Sequence, residues 1–135
     1  PGIKQLLRDL TKQGVLCLVA TSKPEIYAKK ILDYYELSNY FYYIAGANMD
    51  GTRTDKAEVI AYALKQIPAE YSNKKVLMVG DRSHDIIGAK KNGIDCAGVL
   101  FGYGSREELE EAGADFVADS VEAVRNIVFL NAAKN

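Results

Sequence analysis

Apolar positions along this chain recur in two rhythms, helical spacing and short continuous runs, and the two alternate. Ile3, Leu6, Leu7 and Leu10 recur at helical spacing, and Gly14 closes that helix. Val15 to Ala20 is apolar throughout, which predicts a strand covered on both faces. Thr21-Ser22-Lys23-Pro24-Glu25 follows, where Ser22 and Glu25 fit a capping box and Pro24 suits a first helical turn. The helix then runs to about Glu36, with Ile26, Ile31, Leu32 and Tyr35 as its expected inner face. Tyr42 to Ala45 is a shorter strand, and Gly46 to Thr52 a polar loop. Thr54 or Asp55 caps a helix carrying Val59, Ile60, Ala63 and Leu64, and Pro68 to Asn73 is a connection.

Val76 to Val79 is short and β-branched enough for a buried strand, broken by Gly80. A helix follows through Ile86, Ile87, Ala89 and Lys90 and ends at Asn92-Gly93, as a left-handed C-terminal cap does. Ile94 to Leu100 is another strand, and Gly102-Tyr103-Gly104 a turn. Ser105 and Glu108 form a second capping box, on a helix ending at Gly113. Phe116-Val117 is a short edge strand, and Ser120 caps a last helix with Val121, Val124, Ile127 and Val128 inward. Strands separated by single helices argue for parallel βαβ units: an α/β fold with a Rossmann-like, doubly wound parallel sheet. No internal repeat or linker interrupts the 135 residues, which are expected to form one domain.

Composition narrows the classes of function. Apolar residues make up 48% and charged residues 26%, as in soluble globular proteins. A net charge of −1 gives no basic footprint for nucleic acid. No apolar run approaches the ~20 residues needed to span a membrane. Nothing reads as a secretory signal. Cys17 and Cys96 lie in apolar runs, which predicts buried free thiols and a reducing, cytoplasmic setting.

The candidate chemistry gathers at strand ends. Asp81 falls where the Val76–Val79 strand stops, and Asp85 where the next helix begins. Ligands bind at the carboxyl edge of an open α/β sheet. Two close carboxylates repel unless a cation lies between them, and hard oxygen ligands on a partly open site suit Mg²⁺. The plainer alternative is that Asp81 ends a strand and Asp85 starts a helix. Thr21 and Ser22 could form an anion site from hydroxyls and helix N–H groups, or simply cap. Lys56 stands in a first helical turn, where a cation opposes the helix dipole; it is a phosphate ligand or a surface lysine. His84, the single histidine, invites a catalytic reading, against a solvent-facing helix start. Tyr34, Tyr35, Tyr40, Tyr42 and Tyr43 read as core and rim packing, since no basic stripe accompanies them.

Together these residues resemble a family. Thr21 after an apolar strand, Lys56 at a helix start and GDRSHD after another strand are similar in order to the haloacid dehalogenase superfamily of Mg²⁺-dependent phosphatases. PGIKQLLRDLTKQG, VATSKP, ANMDGTRTDKAEVI, VGDRSHDIIGAKKNGI and GVLFGYGSREELEEAGADFV resemble its phosphoglycolate phosphatase and 5′-nucleotidase-like branch, over essentially the whole chain. The resemblance implies that Thr21 and Ser22 bind the phosphoryl group. It implies that Lys56 neutralises phosphate and an aspartyl-phosphate intermediate, and that Asp81 and Asp85 hold Mg²⁺. The implied partner is a small phosphorylated metabolite, with no nucleic acid and no membrane.

One motif departs from the family. Its first strand carries D-x-D-G-T, whose first Asp is the nucleophile and whose second is the general acid/base. Asn48-Met49-Asp50-Gly51-Thr52 imitates the motif but follows a later strand, in a loop. In the family, the Pro-Gly that opens this chain comes after the first strand and the helical cap. The expectation is therefore a C-terminal part of the core, lacking first strand and cap and inactive by itself. The absent strand would lie between the Val15–Ala20 and Val76–Val79 strands. That predicts an open or foreign-filled slot and self-association through unpaired sheet edges. The competing reading is a non-catalytic α/β binding domain of receiver type. A receiver domain places its phosphoacceptor Asp before Thr/Ser and Lys, whereas here Thr21 and Lys56 precede Asp81. An in-frame D-x-D-G-T in the DNA upstream of Pro1 would decide between them.

Overall fold

A computed structural model describes residues 2–53 and 55–133, the last three through their backbone only. Thr54, one of the two candidate helix caps, lies outside the described residues. All five strands pair in parallel, in two separate sheets, and the chain divides into two compact units, Pro1–Ile67 and Pro68–Asn135. This is the α/β class expected from alternating strands and helices.

In the first unit α1 (Ile3–Lys12) buries Leu6, Leu7 and Leu10 and ends at Gly14, whose φ of +79° a side chain would resist. β1 (Leu18–Pro24) pairs with β2 (Tyr43–Ala47), and α2 (Glu25–Tyr34) connects them. α3 (Lys56–Lys65) follows. Ala45 on β2 packs with Val59 and Ala63 of α3, flanked by Leu18, Ala20, Tyr43 and Tyr62. The expected inner face of α3 is thus observed, with Leu64 half-buried.

β1 differs from its expectation. It begins three residues late and continues through Thr21, Ser22 and Lys23, with a register shift between Ala20 and Pro24. None of its residues is fully buried, although Val15–Ala20 reads as a covered strand. Its ladder runs on one side only among the described residues. The Ser22/Glu25 capping box does not form. Pro24 occupies the N-cap with an extended ψ of 136°, and no side chain caps α2. The Glu25 carboxylate instead approaches Arg53.

The α2 face is also corrected. Ile26, Ile31 and Tyr35 are exposed, Leu32 is half-buried, and Ala28 is the buried residue of this helix. A small residue permits close approach to the sheet, and the large ones are turned outward. Tyr34 and Tyr42 are exposed too, so packing holds for Tyr43 and Tyr40 but not for these three tyrosines.

In the second unit the strand order is β3 (Leu77–Gly80), β4 (Asp95–Val99), β5 (Phe116–Ala118), with β5 at an edge as expected. α4 (Ser83–Lys91), α5 (Arg106–Ala112) and α6 (Val121–Ala133) follow the strands in turn. Ile86, Ala89, Cys96 and Leu109 form a fully enclosed cluster with Met78, Ile94, Leu100, Ala112 and Ala114 around it. α4 ends at Asn92 and Gly93, the latter at φ +70°, as its sequence predicts. Val79 is 40% exposed, so β3 is not the buried strand its apolar run suggests. Like β1, it pairs along one side only among the described residues. Cys96 is buried; Cys17 is half-buried, and burial raises its thiol pKa. Neither cysteine is in a disulfide among the described residues.

Candidate functional site

The second unit builds its site around the end of β3. Asp81 follows Gly80 directly, half-buried, and Asp85 stands in the first turn of α4 with 4% exposure. Asp85 Oδ2 accepts hydrogen bonds from the Asp81 N–H at 3.1 Å and the Arg82 N–H at 3.3 Å. Its carboxylate thus closes the strand-to-helix turn that carries Asp81. The sequence reads the two aspartates as a facing pair; the structure gives them a tighter relation, one holding the backbone of the other.

Asp81 is held in turn from the loop after β4. The Tyr103 N–H donates to Asp81 Oδ2 at 2.9 Å. A Cβ on Gly102 would collide with the Asp81 side chain, and one on Gly104 with the Asp81 carbonyl oxygen. The Gly102-Tyr103-Gly104 turn is therefore part of the site, because only glycine lets the loop wrap Asp81 this closely. His84 is exposed, with Nε2 3.7 Å from Asp85 Oδ1.

Glu108 joins the same turn. Ser105 Oγ accepts from the Glu108 N–H at 3.1 Å, as a capping box requires. The return half is absent: Glu108 Oε2 accepts from the Ser83 N–H at 2.7 Å and from Arg82 Nε at 2.9 Å. The Ser83 N–H, and then Arg82, hold the Glu108 carboxyl below its ordinary pKa. Glu108, then Asp81 and Asp85, raise that of the Arg82 guanidinium.

The first unit holds Thr21, Ser22 and Lys56. Thr21 Oγ1 accepts from the Lys23 N–H at 3.2 Å, within the register shift between Ala20 and Pro24 of β1. Ser22 is exposed. Lys56 is the first residue of α3 and half-buried, and Asp55 precedes it with its N–H donated to Glu58 Oε1 at 3.4 Å. Asn48–Thr52 is a closed turn: Asn48 Nδ2 donates to Thr52 Oγ1 at 2.7 Å, and the Thr52 N–H and hydroxyl donate to Asp50 Oδ1 at 3.0 and 2.8 Å. The Thr52 N–H, then its hydroxyl, lower the Asp50 pKa. The bonds are directed inward, as in a turn.

Sequence reasoning misses Arg53, whose backbone has a φ of +53°. Its Nε donates to the Gly46 carbonyl at 2.9 Å, its guanidinium lies 3.7 Å from Glu25 Oε1, and it stacks 3.7 Å from the Tyr62 ring centroid. Arg53 so ties the start of α2, the end of β2 and the body of α3. The available signal was an arginine three residues before Lys56, but its partners are distant in sequence.

A family model, haloacid dehalogenase-like hydrolase, matches residues 1–99. The chain belongs to this family. A 5′-nucleotidase of Pseudomonas aeruginosa is 38% identical over 129 residues, 94% of this chain and 57% of that protein. The tyrosine-protein kinase PtkA of Mycobacterium tuberculosis is 42% identical over 116 residues, 86% of this chain and 39% of that protein. The crystal structure of a predicted phosphatase from Clostridium acetobutylicum superposes with a TM-score of 0.87 at 40% identity, over 96% of this chain and 59% of that one. The chain thus spans from about two fifths to three fifths of the length of these relatives. Phosphatases of the haloacid dehalogenase class generally use Mg²⁺, and the donors here fit it. Asp81 and Asp85 offer oxygen ligands at one half-buried turn. The described residues form no cluster of three His, Cys, Asp or Glu. Mg²⁺ needs none, since it keeps water and substrate phosphate among its ligands.

Proposed function

We propose that this chain serves the Mg²⁺-dependent hydrolysis of a phosphate monoester through an aspartyl-phosphate. The observation that supports it best is Asp81 at the carboxyl end of a parallel strand, its turn closed by the buried Asp85, in a haloacid dehalogenase-like chain. Asp81 and Asp85 are the residues that would hold the metal, Asp85 also through the turn it locks. When bound, Mg²⁺ neutralises charge on the transferring phosphoryl group. Thr21 and Ser22 bind phosphoryl oxygens, and Lys56 neutralises them. Phosphoryl transfer depends mostly on positioning and charge neutralisation, the chemistry proposed for these residues. The substrate is a small phosphorylated metabolite; phosphoglycolate, a nucleotide and a sugar phosphate all belong to the tested class. The sequence holds no D-x-D-G-T nucleophile motif, so the chain by itself is inactive.

The test is hydrolysis of a phosphate-ester panel by the full-length protein, with and without Mg²⁺. Lys56→Ala should lower turnover on the order of 10²-fold or more, and Asp81→Asn should abolish the Mg²⁺ response. Full turnover in both variants would overturn the reading. Turnover by the 135-residue chain, lost on Asp81→Asn, would overturn its inactivity.

A further inference from the structure

Arg82 poses an electrostatic problem for a cation site at Asp81. It follows Asp81 directly and donates its own N–H to Asp85. A guanidinium there is a permanent positive charge that can pair with either carboxylate and so compete with a metal ion. In the structure its Nε is bonded to Glu108, 26 residues away on α5, at 2.9 Å. The same Glu108 oxygen accepts the Ser83 N–H at 2.7 Å, which fixes the first residue of α4. Glu108 itself is anchored through its own N–H to Ser105.

We propose that Glu108 is a positioning residue for the divalent-cation site, holding the Arg82 guanidinium off Asp81 and Asp85. The inference rests on the reading of Asp81 as a metal ligand. It adds a charge-balancing role that capping does not require. A cap needs only an acceptor for the Ser83 N–H. A counter-charge for Arg82 needs a carboxylate. Both bonds reach one oxygen of Glu108, so a glutamine can keep the acceptor while losing the charge.

The experiment is Mg²⁺ titration calorimetry at low ionic strength on the full-length protein and its variants, alongside thermal unfolding. Wild type should bind Mg²⁺, and Asp81→Asn should lose that binding. Glu108→Gln should weaken Mg²⁺ on the order of tenfold while remaining folded at the temperature of the titration. Arg82→Ala in the Glu108→Gln background should restore the affinity, and Arg82→Ala alone should bind at least as tightly as wild type. Equal affinity in wild type and Glu108→Gln would overturn the role of Glu108 and leave the site intact. Failure of Arg82→Ala to rescue would do the same. Absent Mg²⁺ binding by wild type, or binding untouched by Asp81→Asn, would overturn the site reading and the inference with it. If Glu108→Gln unfolds, Arg82→Ala decides: weaker binding in that variant refutes competition by Arg82.

Discussion

Gly80 lies so close to Asp85 that a Cβ on residue 80 would fall 2.6 Å from Asp85 Oδ2 and 2.7 Å from Cγ. No carbon is tolerated there unless the carboxylate moves, and the carboxylate is what holds the Asp81 and Arg82 N–H groups. Gly80→Ala should therefore destabilise the chain by about 1–3 kcal/mol, through overpacking and loss of buried hydrogen bonds. Urea unfolding checks this, and an unchanged midpoint would contradict the contact.

Arg53 should matter as much for folding as the residues with proposed chemistry. Arg53→Ala removes the bond to Gly46, the stack on Tyr62 and the charge facing Glu25. A loss of about 1–3 kcal/mol is expected. Arg53→Lys should recover little of it, because lysine has no planar fork to stack and donate at once. Stability of Arg53→Lys equal to wild type would show that charge alone is used.

The Glu108 carboxyl gives the chain an acid-sensitive component. Its pKa is lower in the folded chain, first by the Ser83 N–H and then by Arg82. Its stabilisation is present above the ordinary glutamate value of about 4.3 and is lost as pH falls from there through the folded pKa. Replacement by glutamine should flatten that part of the stability–pH curve, measured by urea unfolding from pH 6 to pH 3 (values on the order of the carboxylate range). An equally steep curve in Glu108→Gln would assign the acid limb to other groups.

Tyr43 supplies the alkaline counterpart. Its hydroxyl lies 3.0 Å from that of Tyr62, and this bond, with burial and then Glu25 adding, pushes its pKa from 10.0 to about 12. The neutral form is favoured in the folded state. Its stabilisation is therefore complete below pH 10 and lost as pH rises towards about 12. Ultraviolet titration should show a late-ionising tyrosine that moves down in Tyr62→Phe. A late step unmoved in Tyr62→Phe would remove Tyr62 as the cause.

β1 and β3 carry ladders on one side only among the described residues. Unpaired edges of apolar strands recruit further strands. Sedimentation velocity on the 135-residue chain should show association that rises with concentration. A monomer across the whole range would count against edge pairing.

Much of the fold was legible because element type is a local property. The spacing of Leu6, Leu7 and Leu10, of Val59, Ile60 and Ala63, and of Ile86 and Ala89 specifies helices and their buried sides. Gly14, Gly93 and Gly113 mark their ends with positive φ. Asp81 was placed at a strand end by the break at Gly80 alone.

Where the pattern misled, the deciding partner was remote. Ile26, Ile31 and Tyr35 of α2 have core-like spacing, but periodicity does not say whether another element covers that side, and here none of the three is buried. Ser105 and Glu108 have capping-box spacing, but the glutamate accepts from Arg82 and Ser83, a charged donor and an open helix start that compete better than its own N-cap N–H. The sequence by itself determined which segments are helix or strand, their order, and which carboxylates stand at the end of β3. Only the tertiary structure decided that Asp85 serves the backbone of Asp81, that Glu108 takes Arg82, and that Arg53 joins Glu25, Gly46 and Tyr62. Those choices depend on which donors and acceptors meet across 7 to 28 positions of chain, or fewer where a turn closes. Local spacing fixes dihedral preference and a buried side, but carries no record of such distances.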